Sequence, residues 1–140
     1  MTRSTRAPAE HFQLNVVPNY ERYRQNPASE LDAMNAVYAI AHLVDWTYWY
    51  FAEHDATRLA GCTTDSGFRQ HLLSLNRDLR AVSDLADASK HRFLVRSLAR
   101  RIEISSTAAF DPNGFILDGR DLETVTAGAM AFWLRWLGVG

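Results

Sequence analysis

The stretch Ser29–Asp55, SELDAMNAVYAIAHLVDWTYWYFAEHD, does most to restrict what this chain can fold into. Met34, Val37, Ala41, Val44, Tyr48 and Phe51 recur at steps of three and four, which traces one face of an α-helix. Leu31, Asn35, Tyr38, His42, Asp45 and Trp49 form the neighbouring stripe, so polar groups are set into a largely apolar surface. Ser29 is placed to cap the helix, and Glu30 and Asp32 put negative charge in the first turn, where the helix dipole favours it. At ~1.5 Å per residue the helix would be ~36 Å long. Its apolar centre, Ala36–Ala52, sits at the lower limit for crossing a bilayer, and an aspartate such as Asp45 at that depth costs ~3 kcal/mol. A buried core helix is therefore expected, not a membrane span.

A chain of 140 residues suits one domain with a real core. Apolar content of 47%, charged content of 22% and a net charge of -1 give no global reason to expect a nucleic acid or a membrane as partner. Cys62 is the single cysteine, so no internal disulfide forms and a reducing cytoplasm is the natural compartment. The polar start, MTRSTRAPAEHF, lacks the apolar region of a signal peptide.

Residues 1–28 carry Pro8, Pro18 and Pro27 with no helical period, and read as a partly disordered N-terminal arm. Residues 29–140 read as one helical domain. After a connection over Ala56–Gly67, Asp65 or Ser66 caps a helix whose core stripe is Leu72, Leu75, Leu79, Val82, Ala86 and Ser89. Ile102, Ile104, Ser106, Ala108 and Phe110 alternate, Asp111-Pro112-Asn113-Gly114 signals a turn, and Phe115-Ile116-Leu117 returns, which predicts a β-hairpin over about 102–117. Asp121 caps a last helix with Leu122, Val125, Ala129, Phe132, Trp133 and Trp136 on its apolar face, ended by Gly138. The fold class is α+β, mainly α: a helical bundle with a hairpin and a C-terminal helix. The aromatic run Trp46, Tyr48, Trp49, Tyr50 and Phe51 is too dense for one core face and predicts a homodimer or a ligand against it.

Chemistry is expected where the two long helices meet. Asp84, Asp87 and His91 share a stripe of the second helix, with Lys90 beside them, and an antiparallel packing would bring them to His42 and Asp45. His91, Lys90, Asp87 and His42 are the candidates for proton transfer, and Asp45, Asp84, Trp46 and Trp49 for binding. His42, Asp45, Asp87 and His91 are also two imidazoles and two carboxylates, a donor set that suits zinc, manganese or iron, although no established metal motif supports it and no cofactor is predicted. The competing reading is a buried network that satisfies itself, Asp45 accepting from His42 or Lys90 and Asp87 from His91. Arg92, Arg96, Arg100 and Arg101 form a solvated face or, without aromatics between them, a weak RNA-binding strip.

AMNAVYAIAHLVDW followed by SDLADASKH, with AFWLRWL near the end, resembles a family of small bacterial proteins built on an H-x-x-D-W helix, a D-x-A-[ND]-x-x-K-H helix, a hairpin and a final helix with an F-W pair. Asp87 stands where that pattern favours asparagine. These proteins look similar to HEPN-like helical domains, which implies either an RNase of a toxin–antitoxin or phage-defence system, or an inactive dimerisation module. The HEPN nuclease signature is an arginine, four to six residues, then a histidine, in which arginine holds the scissile phosphate and histidine moves the proton. No arginine precedes His91 at that spacing; Arg6 and His11 match it, but lie in the arm. Three functions follow as expectations: a non-catalytic interaction or regulatory domain, an RNA-binding or RNA-cleaving HEPN protein, and a metal-dependent enzyme using His42, Asp45, Asp87 and His91.

Overall fold

The computed structural model describes residues 6–90, 116–117 and 120–139. They form a mainly helical bundle. In chain order the elements are α1 (Pro8–His11), a π-helical turn (Phe12–Val16), α2 (Val17–Gln25), α3 (Glu30–His54), a 3-10 turn (Ala56–Leu59), α4 (Asp65–Leu75), α5 (Arg77–Lys90), β1 (Ile116–Leu117), β2 (Arg120–Asp121) and α6 (Leu122–Leu137). None of the described helices is long and apolar enough to cross a membrane.

The central helix α3 is as expected. Ser29 Oγ accepts the Asp32 N–H at 3.2 Å. Val37, Ala41, Val44 and Tyr48 of the anticipated stripe are buried, and so are Ala33, Ala36, Ile40, Leu43 and Thr47 on the face beside it. So wide a buried face needs more than one partner. The N-terminal segment, α4, α5 and α6 all pack against α3. The alanines let neighbouring backbones approach closely, while Ile40, Leu43 and Val44 fill the space between them; each large apolar side chain taken from water contributes roughly 1.5–3 kcal/mol.

The N-terminal segment departs from expectation. Pro8–Gln25 is helical throughout, with Phe12, Val16 and Tyr23 buried in the common core. Pro8 occupies the first turn of α1, where a missing N–H costs nothing and the fixed φ suits a helix. Pro18 is accommodated by the π turn: the Val17 N–H reaches back five residues to the Phe12 carbonyl, and α2 then restarts with Pro18 in its first turn. Two prolines that read as breaks thus mark two helix starts.

The second helix is also corrected. It is two helices, because Asn76 adopts extended backbone (φ -152, ψ 117) and its Oδ1 accepts the Leu79 N–H at 2.9 Å, capping α5. Thr64, rather than Asp65 or Ser66, caps α4, its hydroxyl accepting the Gly67 N–H at 3.0 Å. Leu75, predicted as core, is exposed at the end of α4, whereas Phe68 and Leu72 of α4 and Leu79, Val82, Leu85 and Ala86 of α5 are buried.

β1 and β2 form a two-stranded antiparallel pair, Ile116 opposite Asp121 and Leu117 opposite Arg120. Ile116-Leu117 pairs forward with Arg120-Asp121; the rest of the hairpin predicted over about 102–117 and the arginines at 92, 96, 100 and 101 lie outside the described residues. Asp121 Oδ1 accepts the Thr124 N–H at 2.7 Å to start α6. Gly138, at φ 71, ends it by turning into the left-handed region that glycine adopts without strain. Asp78 of α5 pairs with Arg120 and lies against Gly128 of α6, where any larger side chain would overlap the carboxylate.

Candidate functional site

The polar face of α3 meets a residue that the sequence patterns did not single out, Arg69. Because the chain folds back at Asn76, α4 lies beside α5, and Arg69 reaches Ser83 and Asp87. Along an unbroken helix those 18 positions would span roughly 27 Å. Arg69 Nη2 donates to Ser83 Oγ at 2.7 Å and to Asp87 Oδ2 at 3.3 Å, while Nη1 lies 3.7 Å from Asp45 Oδ2. One guanidinium therefore joins carboxylates from α3 and α5 and a fully buried hydroxyl. The carboxylates stay 47% and 44% exposed against 26% for Arg69, so solvent screens the pairs and the hydroxyl contact is the dry end of the group. Arg69 is thus a partner of Asp45 that the sequence patterns did not point to.

One turn before Asp45 the face opens. The Tyr38 hydroxyl donates to Ser89 Oγ at 2.8 Å, tying α3 to the far end of α5. The His42 ring stacks on Tyr38, centroids 6.2 Å apart, and is exposed. Asp84 is half-buried on α5. The Lys90 side chain and all of His91 lie outside the described residues. Among the described residues no three His, Cys, Asp or Glu side chains converge as a metal ion requires.

On the other flank of α3, Trp46 faces the N-terminal segment. The His11 ring stacks on the Trp46 indole at 3.7 Å and 9° between planes, and the indole N–H donates to the Arg6 carbonyl at 2.9 Å. Arg6 Nη1 lies 3.4 Å from His11 Nδ1, and the Asn15 carboxamide lies 3.3 Å from Nε2. A guanidinium only donates, and the Asn15 oxygen already accepts from the Asn19 amide at 3.2 Å, so both neighbours present donors to a neutral ring that has one lone pair. Burial first, and the Arg6 charge second, hold the His11 pKa below its ordinary value. The two residues with the arginine–histidine spacing are thus in contact within the folded unit. Pro8 followed by Glu10 was the available signal, a helix start with an acidic first turn.

The remaining aromatics of α3 have partners within the chain. Tyr48 packs on Phe68 and Trp49, Tyr50 on Phe51 and His54, and Phe51 on Trp136. Arg58 lies 4.8 Å from the ring centres of both Phe51 and Trp136. Trp46 and Trp49, expected to bind a ligand, are both half-buried.

No family model, curated protein or solved structure matches this chain.

Proposed function

We propose that this chain is a HEPN-like helical module that acts by contact and not by catalysis, as an interaction or regulatory domain. The observation that carries this reading is the Arg69 group. A metal-dependent or acid–base mechanism needs Asp45 and Asp87 available to substrate or ion, and both are turned to a single cation. A guanidinium cannot exchange a proton near neutral pH, which suits a clamp between helices better than a reacting centre. A homodimer is the assembly proposed, with a cytoplasmic location that fits the lone Cys62. The purified protein is expected to carry no stoichiometric metal and to leave total RNA intact, while Arg69→Met lowers its thermal stability. Metal retained in elemental analysis and lost in His42→Ala would overturn the reading, as would RNA cleavage abolished by Asp87→Asn. Sedimentation equilibrium tests the dimer separately.

The second reading is RNA cleavage by Arg6 and His11, favoured by their spacing and contact. A neutral imidazole has a lone pair fit to accept a proton, and Arg6 can hold a phosphate. Against it, His11 is only 8% exposed beneath the indole. On this reading His11→Ala and Arg6→Ala each abolish cleavage of single-stranded RNA and His42→Ala does not.

A further inference from the structure

Residues 6–11 form a strap fastened to α3 through Trp46, whose indole stacks on the His11 ring and donates its N–H to the Arg6 carbonyl. Both ties lie beside an imidazole that is surrounded by donors. Arg6 Nη1 stands 3.4 Å from Nδ1, and the Asn15 amide nitrogen stands 3.3 Å from Nε2. The Asn19 amide nitrogen donates to the Asn15 backbone carbonyl at 2.8 Å and to Asn15 Oδ1 at 3.2 Å, which keeps the Asn15 nitrogen toward the ring. A neutral imidazole answers one of the two donors with its lone pair; a protonated one answers neither. α1 packs on the π turn and on α3. The π turn faces His11 with the Asn15 amide and α3 faces it with the Trp46 ring, both uncharged. Arg6 brings a charge of the same sign as an imidazolium, and Glu10, next in the chain, is exposed. Attraction of an imidazolium to the indole face is the opposing effect. Phe12 and Val16 are fully buried in the core, so the part of the segment that can let go ends at His11.

We infer that the strap is an acid-released latch: a proton taken up by His11 expels Arg6, frees residues 6–11 from α3 and uncovers the Trp46 face, while the rest of the bundle stays folded. It stands whether or not His11 cuts RNA. In the closed strap His11 takes up its proton below its ordinary value of ~6.5, and in the open strap at about that value, so acid favours release. Between pH ~7.5 and pH ~5 the open fraction can then rise by at most about thirtyfold. The test is hydrogen exchange of the full chain followed by NMR, read at the Trp46 indole N–H and at the amides of α5, with rates corrected for the intrinsic effect of pH. Over that range opening at the indole should rise by at least about fivefold, while α5 keeps its protection. His11→Gln, and His11→Phe, which keeps a ring on the indole, cannot take up the proton and should each hold the rise below about twofold. An indole still protected at pH ~5, an equal loss of protection in α5, or the wild-type rise in either variant would each overturn the inference.

Discussion

Arg69→Met tests the central group most directly, because methionine keeps much of the aliphatic stem and removes every donor. Three contacts disappear. The bond to the buried Ser83 hydroxyl is worth roughly 0.5–1.5 kcal/mol, and its loss leaves that oxygen without its cationic donor. The ion pairs to Asp45 and Asp87 are about half exposed, so each is taken at roughly 0.2–1 kcal/mol. Two carboxylates that shared one cation then repel each other. The expected loss is about 2 kcal/mol, and a chain of this length should melt about 6–8 °C lower. Differential scanning calorimetry at low salt and at ~1 M salt separates the parts, since salt screens the ion pairs and leaves the hydroxyl contact. A double-mutant cycle with Asp87→Asn should return a coupling of about 0.5–1 kcal/mol. A loss below ~0.5 kcal/mol for Arg69→Met, with no coupling to Asp87, would refute the assignment of Arg69 as the tie between α3, α4 and α5.

Stability should fall with acid through His11. Its folded pKa lies below the ordinary ~6.5, so the unfolded chain takes up the proton first, and stability present above pH ~6.5 is lost as pH falls through the folded value; the pH dependence of the melting temperature should flatten there in His11→Gln, with Trp46 emission as a local readout. Gly128→Ala should destabilise by roughly 1–3 kcal/mol, even though alanine is the better helix former by about 1 kcal/mol, because the new methyl overlaps the Asp78 carboxylate and meets its Cβ at 3.0 Å; urea denaturation measures it, and a gain in stability would show the Asp78–Arg120 pair to be dispensable. Asn76→Ala should cost about 1 kcal/mol by removing the cap of α5, read as a lower urea midpoint.

The central and last helices were legible because their signals are local. A three–four apolar repeat, Ser29 and Asp121 at the starts and Gly138 at an end need no knowledge of the rest of the chain. Asp45 and Asp87, placed on facing stripes by the same local signals, meet one guanidinium. What joins them was not legible, because Arg69 sits on a short helix whose direction depends on one residue, Asn76. An asparagine inside an apolar repeat reads as a polar position of one helix until its side chain is seen to cap the next. The N-terminal segment failed for a related reason. Proline is read as a stop, but at a first turn it is a start, and only the π turn at Phe12–Val16 makes Pro18 a first-turn residue. The cover over Trp46 was not legible either, because the His11 ring that stacks on it comes from outside α3.

The fold-back at Asn76 has a mechanical consequence. Arg69 closes a ring that runs from α4 through the bend into α5 and returns across a guanidinium that also grips α3. Pulling α4 away from its neighbour therefore strains α3 at the same moment. Backbone amides of α4 and the first half of α5 should open together in hydrogen–deuterium exchange, and a single substitution at the guanidinium should let α4 exchange on its own clock.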